Sequence, residues 1–277
     1  MLKSINVWAL RDCAERPADS LLAEAREHGF DGVEPAIGHE GLVTLESTEE
    51  DCRRLVAKAV DHGLRVTGLA SGLGWEFPMS ADDPDVRRRG VEAVACALKA
   101  ASWLGVRPVL VVPGMVSPGW GEDVGHVPYD TATERMREGI AGLVPTAEDL
   151  GVVIAIENVW NRVLLSPLEM RDFIDGFGSP AVGAYLDVGN MIPWGYAEDW
   201  VRILGRRICA VHIKDYKRGR EGLDGFCELL EGDVDFPAVM AALREVGYDG
   251  PCTAEFFGLD SEALSRLSAA MDRVLAM

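Results

Sequence analysis

The chain has 277 residues, 48% apolar and 26% charged, which suits one large globular domain or two small ones and excludes a disordered chain. Its 45 acidic side chains outnumber 27 basic ones, a formal net charge of −18 that argues against nucleic acid or anionic lipid as partner, although a local basic cluster would still admit an anionic substrate. No apolar run reaches the roughly 18–20 residues of a membrane span; the strand-like run at Ile5 leaves no room for a signal peptide; and six cysteines without a C-x-x-C pair read as reduced thiols of a cytoplasmic protein.

In chain order the strand candidates are Ile5–Trp8, Gly32–Ile37, Arg65–Ala70, Pro108–Val112, Val152–Glu157, Gly183–Asp187, Ile208–Ile213 and Cys252–Phe256. Short, apolar and each followed by a helical stretch, they read as parallel strands buried on both faces. Five of the helical stretches end in the same way: His28-Gly29-Phe30, His62-Gly63-Leu64, Leu104-Gly105-Val106, Leu150-Gly151-Val152 and Val246-Gly247-Tyr248. Glycine accepts the left-handed conformation that closes a helix, and the apolar residue after it can fold back onto the last turn. Start signals stand at Ser47-x-x-Glu50, Asp83-Pro84, Ser166-Pro167-Leu168-Glu169 and Asp235-Phe236-Pro237. Eight β-α units in roughly 275 residues predict a single-domain (β/α)8 TIM barrel spanning 1–277. The alternative, a doubly wound sheet, lacks a G-x-G-x-x-G after the first strand. The long irregular stretches all follow strands, on the barrel face where active sites are built.

Four strand candidates in succession carry a polar residue at or next to their end: Glu157, Asp187, His212 and Glu255. A carboxylate after a buried apolar run is costly unless it is paired or bound to metal. Four in a row converge on one side of the barrel mouth. Three carboxylates and an imidazole form a hard ligand set, suited to one divalent ion, with Mn²⁺ first and Mg²⁺, Co²⁺ or Zn²⁺ as alternatives. The competing reading is a salt-bridge network at the barrel rim.

The runs Ile156-Glu157-Asn158, Tyr185-Leu186-Asp187-Val188-Gly189-Asn190, His212-Ile213-Lys214-Asp215, Gly232-Asp233-Val234-Asp235-Phe236 and Ala254-Glu255-Phe256 resemble the xylose isomerase-like superfamily of sugar and sugar-phosphate isomerases and epimerases. The resemblance covers nearly the whole chain. It implies that the four strand-end residues bind one divalent metal and that Glu157 and Glu255 also act as paired acid and base. In such chemistry a metal polarises a carbonyl and its neighbouring hydroxyl and stabilises an enediolate, while carboxylates on opposite faces of the carbon exchange its proton. Free-ketose 3-epimerases of the family carry His three residues after the metal Asp, where this chain has Asn190, and Glu-Pro-Leu-Asn where it has Glu157-Asn158-Val159-Trp160-Asn161. The Asp-x-Gly-Asn form looks more like the L-xylulose-5-phosphate 3-epimerase branch. Lys214, Lys217, Arg218 and Arg220 would then meet a phosphate, or else form a solvated loop.

Further substrate-contact candidates are Asn190, Lys214, Asn161, Trp8, Trp75 and Glu34, the last either meeting sugar hydroxyls or bonding a neighbouring strand. Trp120, Trp160 and Trp194 share the strand-end face and could stack on a sugar, pack loops or line a subunit interface. His39 and His126 lie in loops of that face, while His28 and His62 read as helix C-terminal residues. The expected function is a metal-dependent isomerase or epimerase of a small sugar or sugar phosphate, as a dimer or tetramer. The alternatives are a lyase of the inosose dehydratase type on the same metal site, an abasic-site endonuclease, disfavoured by charge and by a single strand-end histidine, and a non-catalytic sugar-binding barrel.

Overall fold

The computed structural model describes residues 1–119 and 125–277. Eight parallel strands form one curled sheet: β1 Leu2–Asn6, β2 Gly32–Glu34, β3 Arg65–Val66, β4 Pro108–Val111, β5 Val153–Glu157, β6 Val182–Asp187, β7 Ile208–Ile213 and β8 Pro251–Ala254. Their order is β3-β2-β1-β8-β7-β6-β5-β4. The sheet closes just past β3, where Leu69 bridges Val109; Leu69 N–H donates to Pro108 O and Leu110 N–H to Leu69 O. The fold is the TIM barrel expected from the strand–helix alternation.

Eight longer helices surround it: α1 Ala18–Glu27, α2 Glu49–Asp61, α3 Pro84–Leu104, α4 Tyr129–Leu150, α5 Pro167–Asp175, α6 Ala197–Leu204, α7 Phe236–Glu245 and α8 Ser261–Ala276. All five glycine stops lie at positive φ, between 68° and 77°. In each, the next residue donates its N–H back to the last turn: Phe30 to Ala25 O, Leu64 to Ala59 O, Val106 to Ala101 O, Val152 to Ala147 O and Tyr248 to Leu243 O. That bond occupies a carbonyl of the last turn, which the helix itself leaves unpaired.

The capping box of α2 lies one residue later than the sequence suggested, on Thr48 and Asp51. Ser47 is taken by the preceding turn, where its hydroxyl accepts from Thr44 N–H. Asp83, Ser166 and Asp235 cap α3, α5 and α7 as expected.

The first three strands differ most from expectation, and the last runs Pro251–Ala254 rather than Cys252–Phe256. β1 ends at Asn6, whose side chain accepts from Trp8 N–H and starts a short 3-10 turn, so Trp8 lies beyond the strand. β2 stops before Pro35, which has no N–H to give the ladder. The chain resumes as Ala36–Gly38 and pairs with Ala70–Ser71 in a separate small sheet, which also breaks the third predicted strand in two. Every residue of β4, β5 and β6 is buried. The barrel lumen beneath the mouth is filled by Ala70, Leu110, Val112, Ala155, Tyr185 and Ala210. Its three alanines leave room for the one large ring, Tyr185, under the polar strand ends.

Candidate metal and catalytic site

Glu157 ends β5, Asp187 ends β6, His212 lies on β7 and Glu255 follows β8 directly. One donor atom from each falls within 4.8 Å of the others, and all four residues are buried. Asp187 Oδ2, His212 Nδ1 and Glu255 Oε2 make no well-aligned hydrogen bond. Nδ1 of His212 lies 3.1 Å from Glu255 Oε2 and 3.7 Å from Glu157 Oε1. Burying such atoms is expensive, and in the metal-free site the Lys214 ammonium, close to Asp187 Oδ2 and Glu255 Oε2, offsets part of that cost. Their convergence, and their oxygen-rich composition, fit a divalent cation.

Local folding aims each donor. Asp187 uses Oδ1 to accept from the N–H groups of Gly189 and Asn190, both at 2.8 Å, which winds the Asp-Val-Gly-Asn turn and turns Oδ2 to the cluster. Asn158 clamps the same residue from β5, donating to Asp187 O and accepting from Asp187 N–H. His212 Nε2 bonds Glu34 Oε2 at 2.8 Å, so Nδ1 faces the carboxylates. Glu34 also accepts from Asn6 Nδ2 and the Tyr185 hydroxyl. Gly68 makes this possible, because a Cβ there would stand 2.9 Å from Glu34 Oε1.

Two of these observations correct the substrate-contact expectation. Glu34 is fully buried beneath the cluster, with its oxygens engaged by three side chains; it bonds neighbouring strands rather than a sugar. Asn161 is also buried, its amide donating to Gly114 O and accepting from Val163 N–H, and so shapes its own loop.

The cluster opens into a cavity of about 600 Å³. Glu157, Glu255, Asn190, Lys214 and Trp75 line it, together with aromatic rings from Trp160, Phe226, Phe256 and Phe257. Trp8 stacks on Phe257, centroids 6.0 Å apart, and supports this wall rather than forming it. Trp160 is anchored by its indole N–H to Asn190 O at 2.6 Å. His39 pairs with Glu76, His126 is exposed and Trp120 lies outside the described residues.

The expected cationic cluster after β7 does not form. Lys214 turns into the site, 2.6 Å from Glu255 Oε2 and 3.1 Å from Asp187 Oδ2. Lys217 pairs with Asp233, and Arg218 donates to Ile192 O and Gly195 O. The Asp215 carboxylate, buried beside them, accepts the N–H groups of Tyr216, Leu230, Gly232 and Val234. It thereby joins the His-Ile-Lys-Asp run to the Gly-Asp-Val-Asp-Phe run. Gly232 is required there, since a Cβ would stand 2.0 Å from Asp215 Oδ1.

Electrostatics separate the two glutamates. Burial, reinforced by Glu255 and Asp187, lifts the Glu157 carboxyl to about 7 despite His212. Burial would raise Glu255 too, but the charges of Lys214 and His212 outweigh it and hold this carboxyl well below its ordinary range. For His212 burial works against the cation, yet Glu255 and Glu34 keep its pKa well above the usual value. The two carboxyl groups therefore differ in how readily they ionise in the metal-free site.

A family model, the xylose isomerase-like TIM barrel, matches residues 22–274. The chain belongs to this family. It is 28% identical over 245 residues to the L-ribulose-5-phosphate 3-epimerase UlaE of Salmonella heidelberg (strain SL476), covering 87% of this chain and 82% of that protein. Among solved structures, an L-ribulose 3-epimerase superposes with TM-score 0.82 at 23% identity, covering 100% of this chain and 95% of that one. A D-psicose 3-epimerase from Clostridium cellulolyticum H10 gives 0.79 at 20%, with 99% of each chain covered. At these identities the structural likeness concerns the fold.

Asn6, Tyr185, Asn158 and Asp215 escaped the sequence reading as site-building residues. Asn6 and Glu34 did carry a signal, a polar side chain within or ending an apolar strand. Only the fold shows that they meet.

Proposed function

We propose that this protein is a divalent-metal-dependent sugar epimerase that inverts a carbon next to a ketone, acting on a ketose or ketose phosphate. The observation that carries the reading is the convergence of Glu157, Asp187, His212 and Glu255, with one donor atom from each within 4.8 Å of the others in a buried cluster. The names of the sugar 3-epimerase relatives agree with it.

Glu157, Asp187, His212 and Glu255 would hold the metal, Mn²⁺ in the first instance. When bound, such an ion polarises a carbonyl and an adjacent hydroxyl, which makes the proton on the carbon between them removable. Glu157 and Glu255 both face the cavity, so one takes the proton and the other returns one from the opposite side. Glu34 keeps the His212 ring oriented, and the aromatic wall shields the reacting carbon from water. Asn190 and Lys214, which line the cavity, would be the residues to meet substrate hydroxyls.

The test is incubation of Mn²⁺-loaded protein with L-ribulose 5-phosphate and L-ribulose, with products read by NMR. The expected result is the 3-epimer with mass conserved. Loss of water would assign the site to a lyase.

A further inference from the structure

Beside the metal site lies a second cavity, of about 610 Å³. The two share Trp160 as a wall, and the consecutive residues Gly222 and Leu223 line one each. Trp194 and Tyr216 continue the aromatic lining, and two arginines complete it: Arg162 from the loop after β5 and Arg220 from the loop after β7.

These arginines differ from the other cations near them. Lys214, Lys217 and Arg218 are engaged by carboxylates or carbonyls. Among the described residues the guanidinium groups of Arg162 and Arg220 have neither an ion pair nor a hydrogen bond, and both are exposed. Two free guanidinium groups on one cavity, in a chain of net charge −18, make a local anion site against an otherwise repulsive field. Arg162 also sits at φ +59 in a loop whose Leu164 is at φ +54. Glycine would be the unstrained choice at both positions, yet the loop keeps a long cation there. The planar guanidinium fork suits the oxygens of a phosphate ester, and the indole of Trp160 suits the apolar face of the sugar carbons.

We propose that this second cavity is an anion subsite of the same active centre, in which Arg162 and Arg220 hold the phosphate ester at the far end of a ketose whose carbonyl end lies between Glu157 and Glu255. The assignment rests on the epimerase reading above. It replaces the cationic cluster suggested by sequence, retaining only Arg220 and adding a partner from another loop.

The test compares the metal-loaded protein with Arg162→Asn, Arg220→Gln and the double variant. Asn is chosen because it tolerates the left-handed backbone. Epimerisation kinetics are measured with L-ribulose 5-phosphate and with L-ribulose. Each single variant is expected to raise KM for the phosphate ester about tenfold, with kcat little changed, and the double variant about a hundredfold. Turnover of L-ribulose should stay within twofold. Equal losses on both sugars, or no loss on the ester, would overturn the proposal. Inorganic phosphate titrated against protein by ³¹P NMR provides a test independent of catalysis. Binding to the parent protein and not to the double variant supports the subsite even if neither sugar turns over; equal binding, or none, overturns it.

Discussion

Strands β5–β8 deliver Glu157, Asp187, His212 and Glu255 to one point, whereas β1–β4 end in Asn6, Glu34, Val66 and Val111 and send no donor to it. The halves also differ in construction. β5, β6 and β7 run five or six residues, with one register shift between Ile208 and Ala210 of β7, while β2 and β3 have three and two and give way to a small side sheet. The regular half places the four clustered donors, because a side chain at the end of a long buried strand has little freedom. The broken half supplies Glu34 and Asn6, which reach across the lumen to hold His212 from behind. A donor and its orienting partner thus come from different halves of the chain, two or three strands apart in the barrel, and substitutions can separate their roles.

The largest effect is expected in the regular half. Glu157→Gln and Glu255→Gln should each lower epimerisation about 10²–10⁴-fold, the usual worth of a positioned acid or base. Steady-state kinetics on protein with confirmed metal content checks this, and near-normal activity in either variant would remove the paired-carboxylate assignment.

In the broken half, Glu34→Gln should weaken metal affinity about 10–100-fold although Glu34 is not among the four donors. Titration calorimetry with Mn²⁺ reads this directly. Unchanged affinity would show that the His212–Glu34 bond is structural only.

The pH dependence sharpens the same division. Metal binding requires Glu157 ionised and His212 neutral. In the metal-free protein Glu157 keeps its proton up to about pH 7, and His212 keeps its proton well beyond the usual range. Mn²⁺ binding should therefore release more protons at pH 6, where Glu157 also gives one up, than at pH 8, measurable by calorimetry in buffers of different ionisation enthalpy. For folding the sign is opposite. Glu157 is raised above its ordinary 4.5, so its contribution to metal-free stability is whole below pH 4.5 and is lost as the pH rises through 7.

The smallest effect lies far from the site. Gly105→Ala meets open space but keeps φ at +72. It should cost about 1 kcal/mol in urea denaturation and leave the kinetics alone.

The repeated glycine stops made the barrel legible, because each combines a left-handed residue with an apolar one that folds back, a purely local signature. The four donors were legible because a charged residue after a buried strand is costly without a partner. Glu34 and Asn161 were not, since the same polar letter can face a ligand or a neighbouring strand, and only the lumen contents decide. The β7 loop misled for a related reason: four adjacent cations suggested one cluster, but Asp187, Glu255 and Asp233 and the carbonyls of Ile192 and Gly195 draw three of them apart. The capping register at Thr48 turned on a competing use of Ser47.

The central claim is that Glu157 and Glu255 work on opposite faces of one carbon. It is tested most directly by following solvent deuterium into each of two purified 3-epimers, with Mn²⁺-loaded Glu157→Gln and Glu255→Gln in D₂O. A two-base site predicts that net epimerisation is lost in both variants, while each still exchanges the C3 proton of one epimer, and that the epimer differs between them. Exchange of the same epimer by both variants, or undiminished interconversion by either, would contradict the account.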